Sequence, residues 1–235
     1  QRTMYAPVLQ NLQDTSLSSG SLSDRVRKLS CSGKHAGAWL NAIPKTYAFR
    51  LSPRHMQIAL RLRLGLEQPR VSPEIKCAGC NRYVQDAQGN HCLTCTSGGN
   101  SLWMRHEWIL ASCHVSARST QKFSRIKELH DMLPPRQQAD GSTKELVPDQ
   151  HIEEFMPDGK DVFTDVSVIH PVAESYIQKA TSELGAAKYR EGTKDAEYAE
   201  ACRAAGKAFI PVVFETYGAW GPGAQQLFKI MKVNM

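Results

Sequence analysis

No stretch of this 235-residue chain is apolar over the roughly 20 residues that a bilayer crossing needs, and runs such as residues 209–214 fall far short. Neither a membrane span nor a membrane partner is therefore expected. The sequence starts Gln1-Arg2-Thr3 without a charged-then-apolar leader or an initiating Met, so the expectation is an intracellular fragment of something longer. Internal repeats are lacking as well, which excludes a solenoid or propeller. Charge of one sign is not lacking but unevenly spread. The whole chain carries 29 Lys+Arg against 23 Asp+Glu, a net +6 with pI near 9.0. Residues 1–117 hold 14 basic against 6 acidic side chains, and residues 118–235 hold 15 against 17. A basic front suits a polyanion such as nucleic acid, and an acid-richer rear is where carboxylates could take a divalent metal. With 41% hydrophobic and 22% charged residues the composition is globular.

Large apolar residues are scarce in residues 1–33, which read as a flexible arm or linker, and residues 34–75 read as a helical linker. Within the linker, residues 55–66 have a helical pattern ending at Gly65, with Arg61 and Arg63 on it. Residues 101–116 and 120–133 read as helices, the second stopped by Pro134-Pro135. Two strand-like runs, 144–155 and 161–169, flank the turn Pro157-Asp158-Gly159 and predict a hairpin. Helices are then expected over 171–190 and 195–205, and a buried strand over 208–214. Helix, helix, strand, strand, helix, helix, strand implies an α/β or α+β core of about 120 residues.

Four of the seven cysteines crowd into residues 77–95, as Cys77-Ala-Gly-Cys80 and His91-Cys92-Leu-Thr-Cys95. The odd total and the missing leader favour a zinc site over disulfides, because a short CxxC turn aims two thiolates at one ion. Spacing allows either Cys77, Cys80, Cys92 and Cys95 or Cys77, Cys80, His91 and Cys95. So short a segment has almost no core, and metal binding would be its folding energy. Cys113 and Cys202 are expected as buried free thiols. Further on, Pro148-Asp149 on one strand and Asp165 on the next could share a divalent cation. Such sites usually add a lysine, but residue 167, its natural place on the strand, is a serine. Lys179 and Lys188 both lie at the edge of the next apolar stripe, and periodicity does not choose between them.

Taken in order, several stretches closely resemble one family. They are Ala36-Gly37-Ala38-Trp39-Leu40-Asn41-Ala42-Ile43-Pro44, Ala59-Leu60-Arg61-Leu62-Arg63-Leu64-Gly65-Leu66, the Cys77xxCys80 and His91xxxCys95 pairs, Arg105-His106, and Pro148-Asp149. Asp161xxxAsp165 with Val-Ser-Val-Ile-His170-Pro171, Lys188-Tyr189 and the run ending Phe-Glu-Thr-Tyr-Gly218 complete the set. The family is the C-terminal region of site-specific non-LTR retrotransposon polyproteins, in which a linker and a CCHC zinc knuckle precede a restriction-like endonuclease. The resemblance spans about residues 36–220. It implies a knuckle at 76–97 ligated by Cys77, Cys80, His91 and Cys95, with Cys92 a bystander. It implies a PD-(D/E)xK-like core at 98–220, with Asp149 and Asp165 as ligands of Mg2+ or Mn2+; residues 221–235, beyond it, are expected as a C-terminal helix or tail. The family's lysine sits on the helix after the strand, and its Lys-Tyr pair matches Lys188-Tyr189, which implies Lys188 over Lys179 in catalysis. Arg105 and His106 match an Arg-His pair that contacts DNA or supports the active site, and Arg61 and Arg63 would contact nucleic acid. The implied activity is nicking of double-stranded target DNA in the nucleus, to prime reverse transcription of the element RNA by the rest of the polyprotein. No Tyr-x-Asp-Asp-like pair of adjacent acids is present, so the chain itself should not polymerise.

Overall fold

A computed structural model of the chain describes residues 20–44, 47, 50–69, 74–81, 86–97, 101–127, 129–138 and 140–233. Among these residues it is a mixed α/β structure with five helices and a mixed sheet, compatible with the α+β class. Two compact units share the chain. One comprises the described parts of Gln1–Gly99 with His170–Ala186 and Glu215–Ala219; the other comprises Asn100–Ile169, Ala187–Phe214 and Trp220–Met235.

In the first unit, residues expected to form a loose arm instead supply helix α1, Leu22–Ser32. Local chemistry accounts for it. Ser21 accepts the Asp24 amide at 3.2 Å while the Asp24 carboxylate takes the Ser21 amide, a reciprocal capping box that contributes about 1 kcal/mol. Residues 1–19 of that arm lie outside the described residues. Helix α2, Pro53–Leu64, is capped by Ser52, has Pro53 at its first turn, and ends at Gly65 with φ +68°. A Cβ on Gly65 would also meet the Arg27 guanidinium, so a substitution would displace that side chain as well as strain the backbone. Short 3-10 turns occupy Ala38–Leu40 and His91–Leu93. The helix expected over 171–190 is not formed in its first part. Residues 171–184 make successive turns, with amides of Ala173, Tyr176 and Lys179 bonding the carbonyls three residues back, and Leu184 at φ +55° breaks any continuation.

The second unit opens with α3, Ser101–Ser119, where the helix was expected. No second helix follows over 120–133 among the described residues. Gln121 (φ +62°) and Asp131 (φ +58°) turn the chain, and strand β1, Ser124–Arg125, joins the sheet edge between them. β2, Arg136–Gln137, and β3, Thr143–Lys144, form a small separate ladder. β4, Gln150–Ile152, and β5, Val162–Ile169, make the expected hairpin with a shorter first strand, in the register Gln150–Thr164, His151–Phe163, Ile152–Val162. α4, Gly185–Ala204, is one 20-residue helix where a break near residues 190–195 was expected. β6, Ala208–Glu215, lies beside β5 in the order β1-β4-β5-β6. Pro211 is tolerated because β6 is an edge. α5, Pro222–Val233, closes the chain.

The sheet of this unit is covered on both faces. Val162 and Val166 of β5 pack with Leu110, Cys113 and Ala117 of α3 and with Ala224, Leu227 and Met231 of α5. Phe163 points the other way, to Tyr198 and Cys202 of α4 and to Leu133 and Leu146. Period-two alternation thus puts the odd residues of β5, Asp165 among them, on the face of α4.

Gly192 sits inside α4, exposed, with nothing within 4 Å of a Cβ built on it. Its only effect there is the entropic cost of glycine in a helix. Gly192→Ala is expected to raise stability by about 0.5–1 kcal/mol in denaturant melts. A lowered midpoint would mean that the open space is filled in solution.

Candidate metal centre and carboxylate site

The cysteine segment brings Cys77, Cys80, His91 and Cys95 together, with one donor atom from each within 4.8 Å of all the others. Cys77 Sγ lies 3.6 Å from Cys95 Sγ, and Cys80 Sγ lies 3.4 Å from His91 Nε2. A tetrahedral zinc with bonds of about 2.3 Å to sulfur and about 2.0 Å to nitrogen has edges of about 3.8 Å and about 3.5 Å, so the donor set fits such an ion closely. Amides of Cys80 and then Gly79 hydrogen-bond the Cys77 sulfur and bring its thiol down to about 6, so it offers a thiolate at neutral pH. Cys92 is exposed and outside the group. The alternative that spacing left open is thus decided geometrically for His91. The cluster could hold a metal such as zinc.

The linker arginines are engaged locally. Arg63 donates to the carbonyls of Ala36 (3.0 Å), Tyr217 (3.1 Å) and Cys31, and Arg61 donates to Glu67 O. Lys179 is exposed in the same unit, its ammonium 3.3 Å from Ser175 O.

In the second unit Asp149 precedes β4, and its amide bonds Thr164 O across the hairpin at 3.0 Å. Its Oδ2 accepts the Val166 amide at 2.6 Å and His106 Nε2 at 3.1 Å. The other His106 nitrogen bonds Glu107 at 3.1 Å. With both nitrogens facing carboxylates the ring is held as imidazolium, and the Asp149 bond in particular lifts its pKa to about 9. Asp165 is almost fully buried on β5, and burial first, then the Asp149 charge, pushes its carboxyl upward. Opposing that shift is Lys194 of α4, whose ammonium lies 2.9 Å from both Asp165 oxygens and 3.6 Å from Glu197. Arg190, one turn earlier, donates to Ser167 Oγ at 3.2 Å, and Tyr198, one turn later, donates to Val147 O at 3.1 Å. Arg190, Lys194, Glu197 and Tyr198 thus share the helical face turned to the sheet.

Lys188 is exposed, about 120° round the helix from Lys194, with its charge near Glu191; Tyr189 is half exposed. Arg105 is half-buried beside His106 in sequence, and burial lowers its pKa. Sequence reasoning missed Lys194 because it put a helix boundary at residues 190–195. The signal that would have found it is the four-residue spacing Arg190, Lys194, Tyr198. No family model matches the chain, and no curated protein does.

Two outcomes follow from this geometry. Cys92→Ser should retain about one zinc per chain and Cys95→Ser should lose it, as read by metal analysis after dialysis. Glu191 is buried, with Oε1 accepting the Gly223 amide at 2.9 Å, and burial raises its carboxyl from 4.5 to about 7. A raised acid favours the fold in its protonated form, so that contribution is complete below about pH 4.5 and is lost as pH rises through about 7. Glu191→Gln should therefore raise the melting temperature more at pH 8 than at pH 5, and an equal shift at both would refute the assignment.

Proposed function

We propose that the chain is the nucleic-acid-gripping and DNA-cutting part of a site-specific non-LTR retrotransposon polyprotein, with a restriction-like core that nicks one strand of double-stranded DNA. The observation that carries this reading is the pair Asp149 and Asp165, on adjoining segments of one hairpin, with a lysine ammonium at the buried member. Two carboxylates whose charges already oppose each other are a ready site for a divalent cation. Magnesium or manganese held there would supply Lewis acidity, to make a bound water nucleophilic near neutral pH and offset charge on the phosphate.

The chain's own residues have distinct tasks in that reaction. Val166 N–H and the His106 imidazolium hold Asp149 by Oδ2, and Asp149 with Asp165 would hold the cation. Lys194, paired with Asp165 and 3.6 Å from Glu197, would orient the attacking water and offset charge on the scissile phosphate. We assign it, rather than the exposed Lys188, as the lysine of the cut. The water oxygen adds to phosphorus, the bond from phosphorus to the 3′ oxygen breaks, and the water's proton ends on that oxygen through solvent. The products are a 5′ phosphate and the 3′ hydroxyl that would prime reverse transcription of the element RNA. The Cys3His cluster and the basic residues of the front half support a grip on phosphates, which should weaken steeply with salt.

Supercoiled plasmid should be nicked by the purified chain only with Mg2+ or Mn2+. Asp165→Ala and Lys194→Ala should each cost at least about 100-fold in rate with DNA affinity retained, and Lys188→Ala less than about threefold. Nicking at the wild-type rate by Asp165→Ala would sink the reading. Retardation of the DNA without any nicking would favour the other reading, a binding module on a nuclease fold that no longer cuts.

A further inference from the structure

Outside its four donors, the cysteine segment makes a set of polar contacts that zinc binding alone does not require. Asp86 staples the turn that presents His91. Its Oδ2 accepts the His91 amide at 2.8 Å, and its Oδ1 accepts the Asn90 amide at 2.9 Å and the Asn90 side-chain Nδ2 at 3.1 Å. That fixes the Asn90 amide group the right way round, with Oδ1 outward as a pure acceptor. Two buried donors use it, His170 Nε2 at 3.2 Å and Tyr217 Oη at 3.3 Å. Because Asn90 Oδ1 can only accept, the proton on His170 is at Nε2, and Nδ1 then accepts the Thr216 hydroxyl at 2.7 Å. The His170 and Tyr217 rings also lie 5.4 Å apart, centre to centre.

We propose that Asn90 is a positioning residue that couples metal occupancy of the Cys77, Cys80, His91 and Cys95 cluster to the order of the tight turn at residues 215–218. The coupling rests on the metal reading of that cluster and is independent of the endonuclease reading. The His91–Leu93 turn buries none of its residues, and Asp86 anchors its start while the metal would anchor His91 itself. With the metal in place, His91 is fixed, its neighbour Asn90 is fixed with it, and both buried donors are satisfied. Without the metal the turn opens, Asn90 withdraws, and the buried His170 and Tyr217 each lose the bond to Asn90 Oδ1 in a place water scarcely reaches. The 215–218 turn carries two of these side chains, Thr216 and Tyr217, and is closed by Gly218 N–H to Glu215 O at 2.7 Å. It should therefore loosen together with the cluster, although it contributes no ligand. Reciprocally, residues far from the metal in sequence should tune its affinity.

Hydrogen exchange on the full zinc-loaded chain, before and after a zinc chelator, tests the coupling. Peptides over 86–95 and over 215–218 should both exchange at least about tenfold faster after chelation and recover when Zn2+ returns, while peptides over 162–166 stay protected. Asn90→Ala and the gentler Tyr217→Phe, which keeps the ring, should weaken Zn2+ by about tenfold in a competition titration. The visible spectrum of the Co2+ form should keep its band positions in both, since no ligand changes. Unchanged exchange at 215–218 on chelation, with Zn2+ affinity of both variants within twofold of wild type, would overturn the coupling and leave the cluster reading intact. A wild-type chain that takes up no Zn2+ would overturn both.

Discussion

The second unit is organised by strand β5, which is buried on both faces. A strand in that position has to satisfy its backbone through neighbouring strands and its side chains through two layers of helix. Val162 and Val166 meet α3 and α5, and Phe163 meets α4. Asp165 occupies a position where an apolar residue would be the ordinary choice. Its carboxylate is tolerated because Lys194 faces it from α4, and an ion pair so enclosed is expensive to break by removing one partner, at about 3–5 kcal/mol. The same burial, with the Asp149 charge, raises its pKa, and Lys194 works against that shift.

The first unit is held differently. Among the described residues its buried apolar side chains are Val26, Ala36, Ala180, Leu184, Ala186, Tyr217 and Ala219 beside Cys77 and Cys95, most of them small. Polar contacts to backbone take up much of the task. Arg63 gathers three carbonyls from separate stretches, and Gly218 at φ +95° lets the chain pass so close to Ala36 O that a Cβ would lie 2.8 Å from it. A unit with so small a core is of the kind that depends on a metal for its folding energy. Arg63, expected from sequence to face nucleic acid, is spent on this internal task.

How much of this was legible in the sequence depends on the range of the interaction. The end of α2 was legible because Gly65 is a local signal for a left-handed residue, and the β4–β5 hairpin because Pro157-Asp158-Gly159 marks a turn between alternating runs. The crowding of Cys77, Cys80, His91 and Cys95 was legible too, since a metal cluster leaves its ligands at short spacing. The helix expected over 120–133 was misread because apolar residues at three and four spacing also suit turns that bury Leu129 and Leu133 separately. The unbroken α4 was missed because Gly192 looks like a stop, whereas packing of Tyr198 and Cys202 against the sheet carries the helix through it.

By itself, then, the sequence determined the inventory: a metal-binding spacing, two aspartates on a hairpin, a mixed α/β class, and an uneven charge. Tertiary structure alone decided which members of each set meet. His91 rather than Cys92 turns to the other thiols, and Lys194 rather than Lys188 reaches Asp165. The reason is that both choices depend on the rotation of a helical turn about its axis, which packing against distant residues sets, and one residue along a helix changes direction by about 100°.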